Sequence, residues 1–128
     1  MTTRRQVLCV DDEPDITFRL KRFIERYYPI DVWTAENGYT ALGMLSMHPF
    51  DAVLLDISMP GINGFEVTAE IIRSYPRTIV IIITASADHE VLSRSKGARF
   101  LVKPVSMDDI KMLIYQHFDL LPQKPQEQ

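Results

Sequence analysis

The sequence has few cysteines, no long apolar runs and no concentration of basic residues. Its single cysteine, Cys9, cannot form an internal disulfide, and its position inside a short apolar run predicts a small buried side chain rather than a reactive thiol. No run is long enough to cross a bilayer, and the first residues contain no secretory h-region. We therefore expect a cytoplasmic protein without a membrane partner.

The formal net charge is −3, with 14 Lys and Arg against 17 Asp and Glu, and no candidate helix presents a basic face. This balance excludes direct nucleic-acid binding through such a face and favours a protein or small-molecule partner. A length of 128 residues with 46% hydrophobic content is enough for one domain. We place that domain at residues 1–120, followed by a flexible tail or truncated linker at 121–128, where Pro and Gln replace core formers.

Four short runs rich in Val, Ile and Leu each end at a polar residue that could handle a phosphoryl group. In chain order these ends are Asp11 with Asp12, then Asp56, Thr84 and Lys103. If the runs are neighbouring parallel strands, the crevice outside their carboxyl ends collects three carboxylates, a hydroxyl and an ammonium group. The pattern predicts a magnesium-dependent phosphoryl site.

Segments with helical spacing lie between these runs, and a weaker strand at 31–35 brings the number of strand and helix units to five. Such alternation predicts an α/β fold, a three-layer flavodoxin-like doubly wound sandwich with a five-stranded parallel sheet in the order 2-1-3-4-5 and five helices. The fourth helix, between Asp88 and Gly97, has only Val91 and Leu92 as clear core candidates. It is therefore predicted to be short or irregular.

Three carboxylates in one small volume repel each other, and a hard divalent cation would relieve that repulsion. Mg²⁺ fits such an incomplete set of oxygen ligands, and Mn²⁺ can take its place. Asp56 could then accept a phosphoryl group as an acyl phosphate, while Lys103 neutralises one phosphoryl oxygen and Thr84 hydrogen-bonds another. The three histidines share no spacing with these acids, and we interpret them as surface or core residues: His48, His89 and His117.

These residues resemble the receiver domain of two-component response regulators, of the chemotaxis-regulator kind, from Gln6 to about Phe118. The matching motifs are the acidic pair within residues 10–13, the acceptor segment at 55–64, the hydroxyl position at 84–85 and the basic position at 103–104. A chance match to all four motifs, in order and at strand ends, is improbable.

The resemblance implies that Asp56 is phosphorylated, and that Asp12 and Asp56 bind Mg²⁺ together with the backbone carbonyl of Ser58. Asp11 would assist through water, and Thr84 and Lys103 would bind the phosphoryl group. The donor would be a phosphohistidine on a sensor histidine kinase or a phosphotransfer protein. The receiver would catalyse only its own phosphorylation and dephosphorylation, and its Lys103-Pro104 peptide is predicted to be cis.

The resemblance also implies a switch in which Thr84 moves towards the phosphoryl group and Phe100 turns inward behind it. Phe100 has a second interpretation as an ordinary core aromatic. The surface formed by the fourth helix, fifth strand and fifth helix would then contact a downstream protein or attached output domain, or form a homodimer. The segment from Thr84 to Lys103 is about one helical turn shorter than the usual receiver pattern, so this surface is expected to differ from that of the family at the fourth helix.

Three alternatives stay open at this point. A pseudo-receiver would keep the fold as a scaffold without phosphorylation. An aspartyl-phosphate phosphatase usually has a second acid two residues after its nucleophile, and here that residue is Ser58. A flavin-binding protein of the same fold would need a phosphate-cradling loop after the first strand, where this sequence has acids.

Overall fold

The computed structural model of the protein describes residues 4–58 and 63–125. Five strands and five helices alternate along these residues. They are β1 Arg5–Val10, α1 Pro14–Tyr27, β2 Ile30–Ala35, α2 Gly38–Met47, β3 Ala52–Asp56, α3 Gly64–Ser74, β4 Ile79–Thr84, α4 His89–Arg94, β5 Arg99–Val102 and α5 Met107–Phe118. The strands are parallel and lie in the order β2-β1-β3-β4-β5, which confirms the predicted sheet.

The sheet separates two apolar layers because successive residues of a strand point to opposite faces. In β1, Val7 and Cys9 belong to the cluster covered by α1 and α5, whereas Leu8 and Val10 belong to the cluster covered by α2 and α3. The predicted three-layer sandwich is therefore confirmed. Cys9 is 1% exposed, and burial raises the pKa of its thiol to about 12, so the thiol stays neutral as expected of an inert core residue.

Polar residues at the helix starts fix where the helices begin. Ser106 and Asp109 form a reciprocal capping box at α5, in which each side chain accepts a hydrogen bond from the other residue's backbone N–H. The Asn37 side chain accepts from the backbone N–H of Thr40 at α2. Each cap satisfies a backbone donor that the first helical turn would otherwise leave without a partner.

The fourth helix is short, as predicted, with six residues between its cap at Asp88 and the turn that follows Arg94. Gly97 has φ +93° and a Cβ there would lie 3.3 Å from the Ile72 side chain, so glycine suits this turn in both respects. β5 follows directly with only four residues. The α4 and β5 side of the molecule is therefore the least extensive part of the sandwich.

The chain continues past α5 along the end of α1. Asp119 adopts a left-handed conformation with φ 56°, Leu120 packs against the first apolar cluster, and the Gln123 N–H donates to the Tyr27 carbonyl at 2.8 Å. The domain limit at residue 120 stays a prediction, and residues 126–128 of the expected tail lie outside the described chain. In the portion that the structure describes, every helix is too short or too polar to cross a membrane.

Candidate functional site at the carboxyl ends of the strands

Backbone hydrogen bonds bring the predicted site residues to one edge of the sheet. The Lys103 N–H donates to the Thr84 carbonyl at 2.8 Å, which places the end of β5 beside the end of β4. Ile57, directly after Asp56, donates its N–H to the Ile83 carbonyl at 3.2 Å and places the end of β3 on the other side of β4. The parallel register thus gathers residues that are far apart in the sequence. The Lys103-Pro104 peptide is cis, as predicted.

Asp56 and Lys103 form the central contact of the site. The Lys103 Nζ donates to Asp56 Oδ2 at 2.8 Å, and the Ser58 N–H donates to Asp56 Oδ1 at 2.8 Å. Asp56 is 4% exposed, so burial pushes its pKa upward, but the hydrogen bonds from Lys103 and Ser58 outweigh burial and hold the pKa below its usual value. The hydrogen bond to Asp56 in turn raises the pKa of Lys103. Asp56 is therefore an ionised, partly desolvated carboxylate at neutral pH.

An acidic cluster lies at the end of β1. Carboxylate oxygens of Asp11, Asp12 and Glu13 all lie within 4.8 Å of one another, and within 4–58 and 63–125 this is the one group of three or more acid, His or Cys ligands found. Asp11 is 5% exposed and accepts the Glu13 N–H at 2.9 Å. Burial raises the pKa of Asp11 to about 6, helped by the charges of Asp56 and Asp12. A bound cation would relieve this electrostatic cost, so the residues fit a hard divalent ion.

The cluster of acid side chains differs from the ligands that the sequence suggested, because it includes Glu13 and does not include Asp56. Asp11 and Asp12 are in it and Glu13 joins it, whereas the charge of Asp56 acts on the cluster from outside and adds to the effect of burial on the pKa of Asp11. Sequence reasoning did not single out Glu13 as a ligand. The available signal was its place directly before Pro14, the first residue of α1, where the chain turns and the Asp11 side chain accepts the Glu13 N–H.

The two predicted switch residues lie on the last two strands, with Thr84 at the end of β4 and Phe100 within β5. Thr84 is 5% exposed, and its Oγ1 donates to the Ser86 carbonyl at 3.0 Å and accepts the Ser86 N–H at 3.3 Å. Its hydroxyl is therefore bonded within its own loop rather than to Asp56. Phe100 is half-buried and packs against the apolar cluster under α2 and α3.

Gly64 allows α3 to pack tightly against the acceptor segment. A Cβ at Gly64 would lie 2.9 Å from the backbone Cα of Ile57, the residue after Asp56, which is closer than two carbon atoms can approach without a shift. Glycine at the start of α3 thus supports the position of the strand end that carries Asp56.

An apolar hollow of about 450 Å³ opens beside Asp11 and Lys103. Its walls come from α1 and from the segment that joins β5 to α5, with Ile16, Leu20 and Val105 among the lining residues. The hollow therefore adjoins the site on the side of α1. Of the histidines, His48 packs against Trp33 with ring centroids 4.4 Å apart, and it takes no part in the acidic cluster.

Comparison with known proteins identifies the family. The family model of the response regulator receiver domain matches residues 7–115, and the chain belongs to this family. The PilH protein of Pseudomonas aeruginosa is 33% identical over 110 residues, which cover 82% of this chain and 90% of PilH. Receiver domains of response regulators are signalling proteins, and the match to the receiver model spans most of the given sequence.

One relative, PilR, is much longer than this chain, and another, TrrA, has been solved in two informative complexes. PilR of Pseudomonas aeruginosa is 35% identical over 88% of this chain, but the match spans only 26% of PilR. The response regulator TrrA of Thermotoga maritima, solved with Mg²⁺ and BeF, is 35% identical in sequence, with a TM-score of 0.78. The aligned region covers 89% of this chain and 99% of the TrrA chain. TrrA has also been solved in complex with the histidine kinase ThkA, with a TM-score of 0.77 and covering 89% of this chain and 98% of its own.

Proposed function

We propose that this chain is the phospho-accepting receiver of a two-component phosphorelay. Asp56 takes a phosphoryl group from a sensor histidine kinase or a phosphotransfer protein, and the phosphorylated form switches a protein-interaction surface. The observation that carries this proposal is the 2.8 Å contact between Lys103 Nζ and the buried Asp56 carboxylate, directly beside the acidic cluster. Family membership supports it as well.

The chemistry follows from the state of Asp56. A carboxylate oxygen of Asp56 attacks the phosphorus of the phosphohistidine, a new P–O bond forms, the P–N bond breaks, and the imidazole nitrogen leaves with the electron pair. The lowered pKa of Asp56 keeps its carboxylate ionised for this attack. Lys103 already contacts one Asp56 oxygen, so a short movement lets its ammonium group neutralise an oxygen of the incoming phosphoryl group.

Mg²⁺ is the proposed cofactor, with Mn²⁺ as a substitute. Asp11 and Asp12 would hold it together with Asp56 and the backbone carbonyl of Ser58, and Glu13 is an added candidate from the cluster. When bound, the ion supplies positive charge that stabilises the transferring phosphoryl group. The raised pKa of Asp11 supports the assignment, because burial, with added repulsion from Asp56 and Asp12, disfavours the charged form of a carboxylate that a cation would stabilise.

The proposed switch uses Thr84 and Phe100. The Thr84 hydroxyl would exchange its bond to the Ser86 carbonyl for one to the phosphoryl group, and Phe100, only half-buried, would repack behind it. The affected surface is formed by α4, β5 and α5, where Val102 and Met112 are exposed. This surface would bind a downstream protein or an attached output domain, or a second copy of the chain.

Relatives support the proposed partners. TrrA was solved with a histidine kinase, which makes a kinase the first candidate donor for this chain. PilR continues well beyond its receiver region, so an attached output domain is as admissible as a free-standing receiver. Nucleic acid and membrane are not among the proposed partners, and a cytoplasmic location stays a prediction from the sequence.

The direct test is incubation with a small acyl-phosphate donor and Mg²⁺, followed by intact mass spectrometry and peptide mapping. We expect one hydroxylamine-labile phosphoryl group on Asp56, lost in Asp56→Asn and retained in Asp108→Asn, which changes an acid exposed on α5. No adduct at saturating donor would favour the pseudo-receiver scaffold. Rapid multiple turnover of diverse phosphate esters would favour the phosphatase.

A further inference from the structure

β2 is an edge strand of the sheet, with a neighbouring strand on one side and none of the described strands on the other. Among the described residues it pairs only with β1. The Ala35 carbonyl accepts the Asp11 N–H that follows β1, so Ala35 directs its backbone groups towards β1. The backbone N–H and C=O groups of successive residues point alternately to the two sides of a strand. Those of Ile30, Val32 and Thr34 therefore point outward, away from β1. Such an exposed row of donors and acceptors is a template for another strand.

Side chains of α1 occupy the centre of this edge. The Lys21 Nζ donates to the Val32 carbonyl at 2.7 Å, and the Glu25 Oε2 accepts the Val32 N–H at 3.0 Å. Lys21 and Glu25 also pair with each other at 3.0 Å. The Arg4 Nη2 donates to the Ile30 carbonyl at 3.2 Å, so the next outward carbonyl towards the start of β2 is occupied as well.

This arrangement differs from an ordinary ion pair on a helix surface. An isolated pair three or four residues apart stabilises a helix only weakly, and it needs no contact with a neighbouring strand. The pair of Glu70 and Arg73 on α3 is of that kind, because the described contacts of its two side chains are with other side chains. The pair on α1 instead fills both backbone hydrogen-bonding groups of Val32.

We propose that Lys21 and Glu25 form a cover that closes the β2 edge to strand addition by a second copy of this chain. A second copy is the occupant to consider because two identical β2 edges can pair around a two-fold axis and share their donors and acceptors. Thr34 remains outside the cover, since no side chain within 4–58 and 63–125 hydrogen-bonds its backbone. The cover acts independently of phosphorylation and lies away from the α4, β5 and α5 surface.

The test uses a double variant that carries both Lys21→Ala and Glu25→Ala. Its matched control carries both Glu70→Ala and Arg73→Ala. Sedimentation velocity over a range of concentrations measures self-association, and amide hydrogen exchange by NMR reports the β2 edge. We expect self-association of the double variant to be tighter than that of wild type by about tenfold or more. We expect its Thr34 amide to exchange more slowly as concentration rises, while the control matches wild type.

A rescue variant identifies the surface involved. Thr34→Pro, added to the double variant, removes an outward N–H without removing a hydrogen bond to β1, because proline is tolerated at such edge positions. We expect it to abolish the added self-association. The proposal is overturned if the double variant sediments like wild type, or if it associates and proline has no effect. If the double variant loses its native circular dichroism, Lys21→Met replaces it, and wild-type sedimentation of that variant overturns the proposal.

Discussion

The two ends of the sheet carry acids in opposite electrostatic settings. At the amino ends of the strands, Asp31 pairs with Arg4 at 2.8 Å and Asp51 lies 3.6 Å from Arg5, so each acid has its own cation. At the carboxyl ends, the acidic cluster and Asp56 share one ion-paired lysine, Lys103, among the residues that the structure describes. The amino end is balanced locally and the carboxyl end is not.

This difference shows which acids support the structure and which are available for chemistry. Asp51 accepts the Gln6 N–H at 2.7 Å with its side chain, and its backbone bonds to both neighbouring strands, so it holds β1, β3 and β4 together. Asp56 instead directs both oxygens to groups at the crevice. An excess of buried negative charge destabilises a fold, so its presence at the carboxyl ends supports the proposal that a cation binds there.

Replacing Lys103, the lysine that pairs with Asp56, should have the largest effect on the rate of phosphorylation. We expect Lys103→Met to slow phosphorylation from a small acyl-phosphate donor roughly 100-fold, because an oxyanion-stabilising donor is lost where negative charge is transferred. Arg5→Met removes the cation that lies near Asp51 at the amino ends of the strands and should leave the rate unchanged. The initial rate of phosphoryl incorporation with saturating Mg²⁺ measures both variants. Equal losses would contradict the assignment of different roles to the two ends.

A packing change at the site end should affect stability and rate together. Gly64→Ala places a Cβ 2.9 Å from the Ile57 backbone, and the resulting shift should cost about 1–3 kcal/mol and slow phosphorylation. Gly43→Ala is the matched control, because a Cβ there has no atom within 4 Å and Gly43 lies inside α2. We expect that variant to be about 0.5–1 kcal/mol more stable than wild type. Urea unfolding measures both free energies.

The carboxyl end of the sheet was largely predictable from the sequence, because it depends on where apolar runs stop. Asp11, Asp56, Thr84 and Lys103 each end a run, and parallel strands place such ends together whatever the side-chain details. The short α4 was predictable as well, since too few residues separate Thr84 from Lys103 for a longer helix. Both features follow from local pattern and topology.

The amino end and the β2 edge were not predictable in the same way. Arg4 meets Asp31, and Lys21 and Glu25 meet Val32, through long side chains whose partners are set by how the elements pack. Gln123 bonds to Tyr27 across nearly the whole chain, in a segment whose composition gave no sign of a docking site. Such contacts have no period or motif in the sequence.

Burial of the Asp11 carboxylate, together with repulsion from Asp56 and Asp12, should lower the free energy of unfolding at neutral pH. The pKa of Asp11 is raised from 3.8 to about 6, so between these values the folded chain holds a proton that the unfolded chain has lost. The contribution of Asp11 to the free energy of unfolding therefore falls as pH rises through this window. Without divalent cations, we expect Asp11→Asn to be about 1–2 kcal/mol more stable than wild type at pH 7. Urea unfolding in chelator should show this advantage disappear near pH 4.

Asp31 should show the opposite sign and a smaller effect, because its side chain is 43% exposed. Hydrogen bonds from Gln6 and Arg4 hold its pKa below 3.8, so its stabilising contribution is present above that value and is lost as pH falls through the lower folded pKa. Asp31→Asn should therefore be slightly less stable than wild type at pH 7, and the two should converge in strong acid. Urea unfolding over the same pH range measures the difference in the free energy of unfolding between Asp31→Asn and wild type. Asp11 and Asp31 would then respond to pH in opposite directions, and a shared sign would contradict the view that Asp31 is balanced by its own partners while Asp11 is not.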